Sequence, residues 1–226
     1  MRLLALDTAM DACSVAVVDI VGHHVTALTS RSEAMQRGHA EALIPMVDEV
    51  MSEAGIRFSD LDRVAVTIGP GSFTGTRIGV AAARAYALAS GIDAVGVTTL
   101  QAVALNVPRT EEDGRDIIVA FDALRGEVYA QLFRGAGLEP VGEPAAYAIS
   151  DAVTILPRTG GILVGSGAHL LAEASGRSGI ELVEASSLPD PLCIARIGAT
   201  SDWPAVPLYL RPPEAKPQAQ QILRAG

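Results

Sequence analysis

One pattern occurs twice in this chain, and it limits the fold more than any other feature. "LLALDTAMDACSVAVV" (residues 3–18) is an apolar run closed by Asp7, a turn, then a second apolar run. "IIVAFDALRGEVYAQLF" (Ile117 to Phe133) repeats that order, with Asp122 closing its first run. A second echo links Val64 to Gly75 with Gly160 to Leu171, each an apolar strand leading through a glycine turn into a helix. Two units make a pseudo-duplication, too short for a solenoid.

Between the hairpin and the glycine turn of the first unit, His23 to Ser32 predicts a third strand. Gly38 to Gly55 then switches to helical spacing, with Leu43, Ile44, Val47, Val50, Met51 and Ala54 recurring and Pro45 in the early turns. Arg63 to Ile68 predicts a buried strand, Phe73 to Ser90 a helix closed by Gly91, Ala94 to Val97 a strand and Leu100 to Asn106 a short helix. "VPRTEEDGRD" is polar and turn-prone and marks a boundary. The division is 1–106, 107–200, and a C-terminal segment 201–226 whose last residues form a loose tail. The expected class is α/β, with two related domains that each open on a β-hairpin. That layout resembles the actin-like/Hsp70-like (ASKHA) architecture, which implies ATP between the halves with the hairpin turns near its phosphates. Fold alone does not establish activity.

The glycine turn "IGPGSFTGTRIG" (Ile68 to Gly79) invites a phosphate-cradle reading. A P-loop needs four residues between its glycines and then Lys-Ser/Thr. Here five residues separate Gly69 from Gly75, and Thr76-Arg77 follows, so the P-loop reading fails. Gly69, Pro70, Gly71 and Gly75 are read as a structural turn that permits close backbone approach. Asp7, Thr8, Asp122, Gly165 and Gly167 are held as a vestigial nucleotide site. Asp7, Asp122 and Glu127 are the acid–base candidates, although a strand-terminal Asp is often a turn-former.

The helix after the turn carries only Arg77 and Arg84 as charges, seven residues apart. It is apolar around nearly all of its circumference, so it must be covered on more than one side, by its own sheet and by a helix or another protein. Five apolar side chains buried there contribute roughly 1.5–3 kcal/mol each. Their sum, of order 10 kcal/mol, matches the association cost of about 4–15 kcal/mol, so an exchangeable dimer is expected. Coverage by the second domain is the alternative.

Other chemistries find little support. The 226 residues carry a formal net charge of −9, against the sign of a free-standing nucleic-acid binder. None of His23, His24, His39 and His169 has HxxxH spacing, and no HExxH occurs, so no metal site is expected. His39 is read as a helix-N-terminal residue beside the chain turn. Cys13 and Cys193 form no CxxC, and Asp7 and Asp11 interrupt any signal core. With no uncharged run near the roughly 20 residues of a membrane span, a cytoplasmic protein without membrane contact is expected.

Five segments, in order, resemble one family. "IGPGSFTGTRIGVAAARAYA" is similar to the GPGSFTGLRIG signature of the TsaB (YeaZ) family of tRNA threonylcarbamoyladenosine biosynthesis. "LALDTAMDACSVAV", "RGHAEALIPMVDEVM", "FDALRGEVYAQLF" and "PLYLR" match further motifs. Thr76, Ala9, Ala40 and Leu124 depart from the usual Leu, Ser, Ser and Arg, and the last removes a charge from the second hairpin.

The resemblance implies a non-catalytic subunit with no tightly bound cofactor, whose partners use ATP and a metal. It pairs with the catalytic subunit TsaD, is joined by the ATPase TsaE, and meets tRNA only through that complex. The product is N6-threonylcarbamoyladenosine at position 37. Pairing, or homodimerisation without the partner, uses helices at about Ala40 to Ala54 and Phe73 to Ser90. The expected interface residues are Leu43, Val47, Val50, Met51, Arg77, Val80, Ala81, Arg84, Tyr86 and Ala87. A charge at Val80 or Tyr86 is then expected to weaken pairing and leave the monomer folded. An actin-like small-molecule kinase using ATP is the alternative function, and a glycoprotease a more distant one.

Overall fold

The computed structural model describes residues 1–22, 24–108, 110, 113–158, 160–184 and 187–211. His23 and the tail from residue 212 onward lie outside the described residues.

Two five-stranded sheets share one topology. In the first, β1 (Arg2–Asp7), β2 (Ala12–Val21) and β3 (His24–Ala34) form an antiparallel meander, and β4 (Arg63–Thr67) and β5 (Asp93–Val97) extend it in parallel beyond β1. In the second, β6 (Ile117–Asp122), β7 (Glu127–Arg134) and β8 (Glu139–Ala148) form the meander, with β9 (Ile162–Val164) and β10 (Glu181–Leu182) parallel beyond β6. The repeated hairpins of the sequence are the centres of these two sheets. β1, flanked on both edges, is apolar and almost wholly buried, as a strand covered on both faces must be.

Helix α1 (His39–Ala54) joins β3 to β4, and α2 (Phe73–Ser90) joins β4 to β5. Ser72 caps α2 by accepting the Gly75 N–H at 3.2 Å, and the left-handed Gly91 ends it. Both helices pack on one face of the first sheet, over Leu4, Leu6, Val15, Val64 and Val66. In the second lobe α4 (Ile149–Ala152) and α5 (Ala168–Ser175) occupy the matching position over Ile118, Ala120 and Leu163.

The two remaining helices are exchanged between the lobes. Helix α3 (Thr99–Leu105) follows the first sheet, yet Leu100 and Val103 pack against Ile117, Val119 and Phe121 of the second. Helix α6 (Pro191–Gly198) follows the second sheet, yet Ile194 and Ala195 pack against Leu3, Ala5 and Ala65 of the first. Gly198 permits this approach, because a Cβ there would overlap the Ala65 methyl. The sequence division placed α6 with the second domain. The packing assigns it to the first, since apolar spacing shows which face of a helix is buried but not against which sheet.

Candidate functional site: the glycine turn, the lobe junction and the α2 face

β1 delivers Asp7 and Thr8 to the start of the glycine turn, and both side chains are fully buried. Asp7 Oδ1 accepts from Thr67 Oγ1 and from the Ala9 N–H (3.0 Å). Oδ2 has no hydrogen-bond partner among the described residues. Burial raises the Asp7 pKa to about 6, opposed by the Thr67 and Ala9 hydrogen bonds and by His39. His39 opens α1 as expected and donates from Nε2 to the Met10 carbonyl at 3.0 Å.

The turn itself is packed with backbone. A Cβ on Gly71 would overlap the Ala9 carbonyl oxygen, and one on Gly75 the Thr8 carbonyl oxygen. Ser72 donates its N–H to Ala9 O at 2.7 Å, and Thr8 Oγ1 donates to Gly75 O at 2.7 Å. The first hairpin turn therefore occupies the hollow of the glycine turn, where a phosphate cradle would hold its ligand. The second lobe repeats this. Gly167 donates to Ala120 O at 2.9 Å, and a Cβ on Gly165 would overlap that same oxygen.

The vestigial nucleotide site is corrected accordingly. Asp7 and Thr8 are sealed under the turn, and Gly165 and Gly167 serve backbone approach. Asp122 alone of these side chains opens on the cleft between the lobes, with Oδ1 accepting the Leu124 N–H at 2.7 Å. That cleft, about 360 Å³, is lined by Met10, Asp11, Ser72, Asp122, Tyr129 and Leu188 among others. Its two carboxylates, with no Lys or Arg among the lining residues, disfavour a bare phosphate. The residues present do not fit ATP as the fold alone would suggest.

The expected interface residues separate into two faces. Leu43, Val47 and Val50 are fully buried, Met51, Val80 and Ala87 nearly so, all in the core beneath α1 and α2. These six stabilise the chain's own fold, so adding their burial to an association energy counted the same area twice. Tyr86 is half-buried, its ring stacked on Phe58 at 5.0 Å and its hydroxyl without a hydrogen-bond partner among the described residues. Arg77, Ala81 and Arg84 are exposed, together with Thr74, Ala85 and Leu88. Their spacing places them along one solvent-facing stripe of α2. Below it, Arg84, Leu88, Ile92, Ala94, Pro204 and Val206 line a groove of about 540 Å³.

A further element had not been assigned a role from the sequence. After α6 the chain runs back along α2 as a strap. Gly96 donates its N–H to Trp203 O at 2.8 Å, and Leu208 its N–H to Ile68 O at 2.8 Å. The Tyr209 hydroxyl accepts from Arg77 Nε at 2.7 Å. Arg211 donates to Ala123 O (2.8 Å) and Leu124 O (3.4 Å) and pairs with Glu127. Glu127, an acid–base candidate by sequence, is thus engaged in fastening the strap to the second hairpin. The signal was the "PLYLR" segment, whose Tyr and Arg stand out in an otherwise proline-rich stretch.

Among the described residues no cluster of three or more His, Cys, Asp or Glu is placed to hold a metal ion. No described helix is long and apolar enough to cross a membrane.

Two duplicated lobes, each a hairpin-first mixed sheet with helices on both faces, define an actin-like α/β protein. A hexokinase of the ROK class from Thermus thermophilus shares this fold at a TM-score of 0.50 and 12% identity, covering 89% of this chain and 98% of its own. The chain belongs to the TsaB/YeaZ family. Residues 29–176 match the family model described as TsaD, tRNA N6-adenosine threonylcarbamoyltransferase. The Escherichia coli tRNA threonylcarbamoyladenosine biosynthesis protein TsaB is 37% identical over 57% of this chain and 53% of its own length. An uncharacterized Mycobacterium tuberculosis protein is 37% identical over 96% of this chain and 95% of its own. One from Mycobacterium leprae is 34% identical over 95% of this chain and 56% of its own, so the chain spans about half the length of some relatives. The YeaZ structure from Pseudomonas aeruginosa superposes with a TM-score of 0.77 at 27% identity, covering 92% of this chain and 99% of that one.

Proposed function

We infer that this chain is a non-catalytic subunit of the machinery that makes threonylcarbamoyladenosine at position 37 of tRNA. It pairs through the α2 face with a TsaD-type catalytic subunit, and the TsaE ATPase joins that pair. The biosynthetic role rests on the family and on the name carried by its Escherichia coli relative. The observation that carries the pairing role is the exposed α2 stripe of Thr74, Arg77, Ala81, Arg84, Ala85 and Leu88. Small residues along it allow close approach of a second helix. Leu88 is 85% exposed at its end, a large apolar side chain that association would cover.

In the absence of the catalytic subunit, a second copy takes its place. The exposed face of α1 carries Glu41 and Asp48, beside Glu49 and Glu53 that pair with Arg31, while that of α2 carries Arg77 and Arg84. Two copies related by a twofold axis bring those opposite charges together. Purified chain is expected to transfer no threonylcarbamoyl group to tRNA and to restore transfer when mixed with the catalytic subunit and the ATPase. Robust modification by this chain alone would refute the reading.

A further inference from the structure

We propose that the docking surface extends beyond the helices across the lobe junction, where Phe73, Arg77 and Tyr209 receive a carboxylate of the catalytic partner. This rests on the functional reading above and specifies the partner's chemistry.

Phe73 and Arg77 stand four residues apart on α2, hence on one face. The Arg77 guanidinium carbon lies 3.7 Å from the centre of the Phe73 ring and 5.6 Å from that of Tyr209. The two rings are 5.4 Å apart, tilted by 36°, and their residues are 55% and 48% exposed. An arginine has five N–H donors, and Nε alone finds an acceptor here, the Tyr209 hydroxyl, among the described residues. The guanidinium is thus oriented by two aromatic rings and one hydrogen bond while its terminal nitrogens are left to a partner. A carboxylate satisfies that fork with two parallel hydrogen bonds. Exposed Tyr and Arg held rigid in this way have the composition of an interface hot spot.

The charge pattern points to the same occupant. α2 has two charged residues, both arginines, and neither forms an ion pair among the described residues, in a chain with a net charge of −9. The stacked arginine and rings also suit a nucleobase. The acidic cleft beside Ser72, with Asp11 and Asp122, and the overall charge weigh against a polyanion far more than against the single carboxylate that the Arg77 fork attracts. Arg211 acts as a positioning residue. It holds the carbonyls of Ala123 and Leu124, at a hairpin tip where Leu124 and Arg125 adopt left-handed φ of 62° and 58°. Leu124 is 69% exposed there, a large apolar side chain at the same hairpin tip.

The test measures binding of the purified catalytic subunit by calorimetry at two salt concentrations. The variants are Arg77→Glu, Arg77→Lys, Tyr209→Phe and, in the middle of α2, Ala81→Glu, each checked for an unchanged melting temperature. Arg77→Glu is expected to raise Kd about tenfold or more and to reduce its salt dependence. Arg77→Lys is expected to fall between it and wild type, and Tyr209→Phe to lose part of the affinity because Arg77 is no longer held. If Ala81→Glu weakens binding and Arg77→Glu does not, the junction is no docking surface, though the functional reading stands. If wild-type chain fails to bind the subunit, both fall. Self-association that is sensitive to Arg77→Glu while heteromeric binding is not, or tRNA binding by the chain alone that this variant abolishes, assigns the cluster to a different occupant and overturns the proposal.

Discussion

Gly75 and Thr8 are locked together twice: the Thr8 hydroxyl donates to the Gly75 carbonyl at 2.7 Å, and the Thr8 carbonyl fills the space a Cβ on Gly75 would need. Gly75→Ala is therefore expected to destabilise the protein by roughly 3 kcal/mol, because the overlapping carbonyl belongs to the buried residue directly after β1, which cannot move aside without disturbing the central strand. Ser72→Ala, which removes only the helix cap, is expected to cost about 1 kcal/mol. Urea unfolding of the two variants checks the order. A glycine turn kept for a ligand would instead show little change in the apo protein.

Asp7 gives the fold a pH dependence. Its folded pKa of about 6 lies above the ordinary carboxylate value, so the folded chain retains a proton that the unfolded chain has released. The stabilising contribution is complete below the ordinary carboxylate range and is lost as pH rises through about 6. Asp7→Asn keeps the oxygen that accepts from Thr67 and Ala9 and cannot ionise. The melting temperature of the wild type should fall across this window by more than that of the variant. Parallel curves would show that Asp7 does not titrate there.

Neighbouring positions on α2 should behave oppositely. Val80 is 4% exposed in the core and Ala81 is exposed. Val80→Glu places a charge among apolar side chains and is expected to unfold the chain or cost more than about 3 kcal/mol. Ala81→Glu is expected to shift stability by less than about 0.5 kcal/mol while weakening association. Thermal melts and sedimentation of the two variants distinguish the faces. This reverses the sequence-based expectation that a charge at Val80 would spare the monomer.

The strap offers a local test. Arg211→Ala removes the hydrogen bonds to Ala123 and Leu124 and the pair with Glu127. Amide exchange at Ala123 to Glu127 should accelerate while the amides of α1 keep their protection, since they lie in the other lobe. Uniform acceleration would mean that the strap supports the whole fold rather than the junction.

Much of this architecture is legible from the residues. The duplicated hairpins mark the centres of both sheets, and Ser72 and Gly91 bracket α2 at the ends that the helical spacing predicts. The burial of α2 was not legible. An alanine-rich helix reads as apolar all round, and only packing shows Gly79, Val80, Ala83 and Ala87 turned inward and Ala81 and Ala85 outward. The sealed hollow of the glycine turn was likewise hidden, because the atom that fills it, the Thr8 carbonyl, comes from a hairpin turn 67 residues earlier. The strap is hidden in the sequence for the same reason: Tyr209 and Arg211 act on partners far away along the chain.

The exchange of α3 and α6 has a consequence for how such a chain is made. One face of the first sheet, with Leu3, Ala5, Val18, Ala65 and Val97, has Ala102 of α3 against it and needs Ile194 and Ala195 of α6 to complete its cover. During synthesis that face stays open to solvent until residues 191–198 have emerged and α6 can dock. A fragment ending near residue 106 should therefore aggregate rather than fold, and the two lobes mature together or not at all.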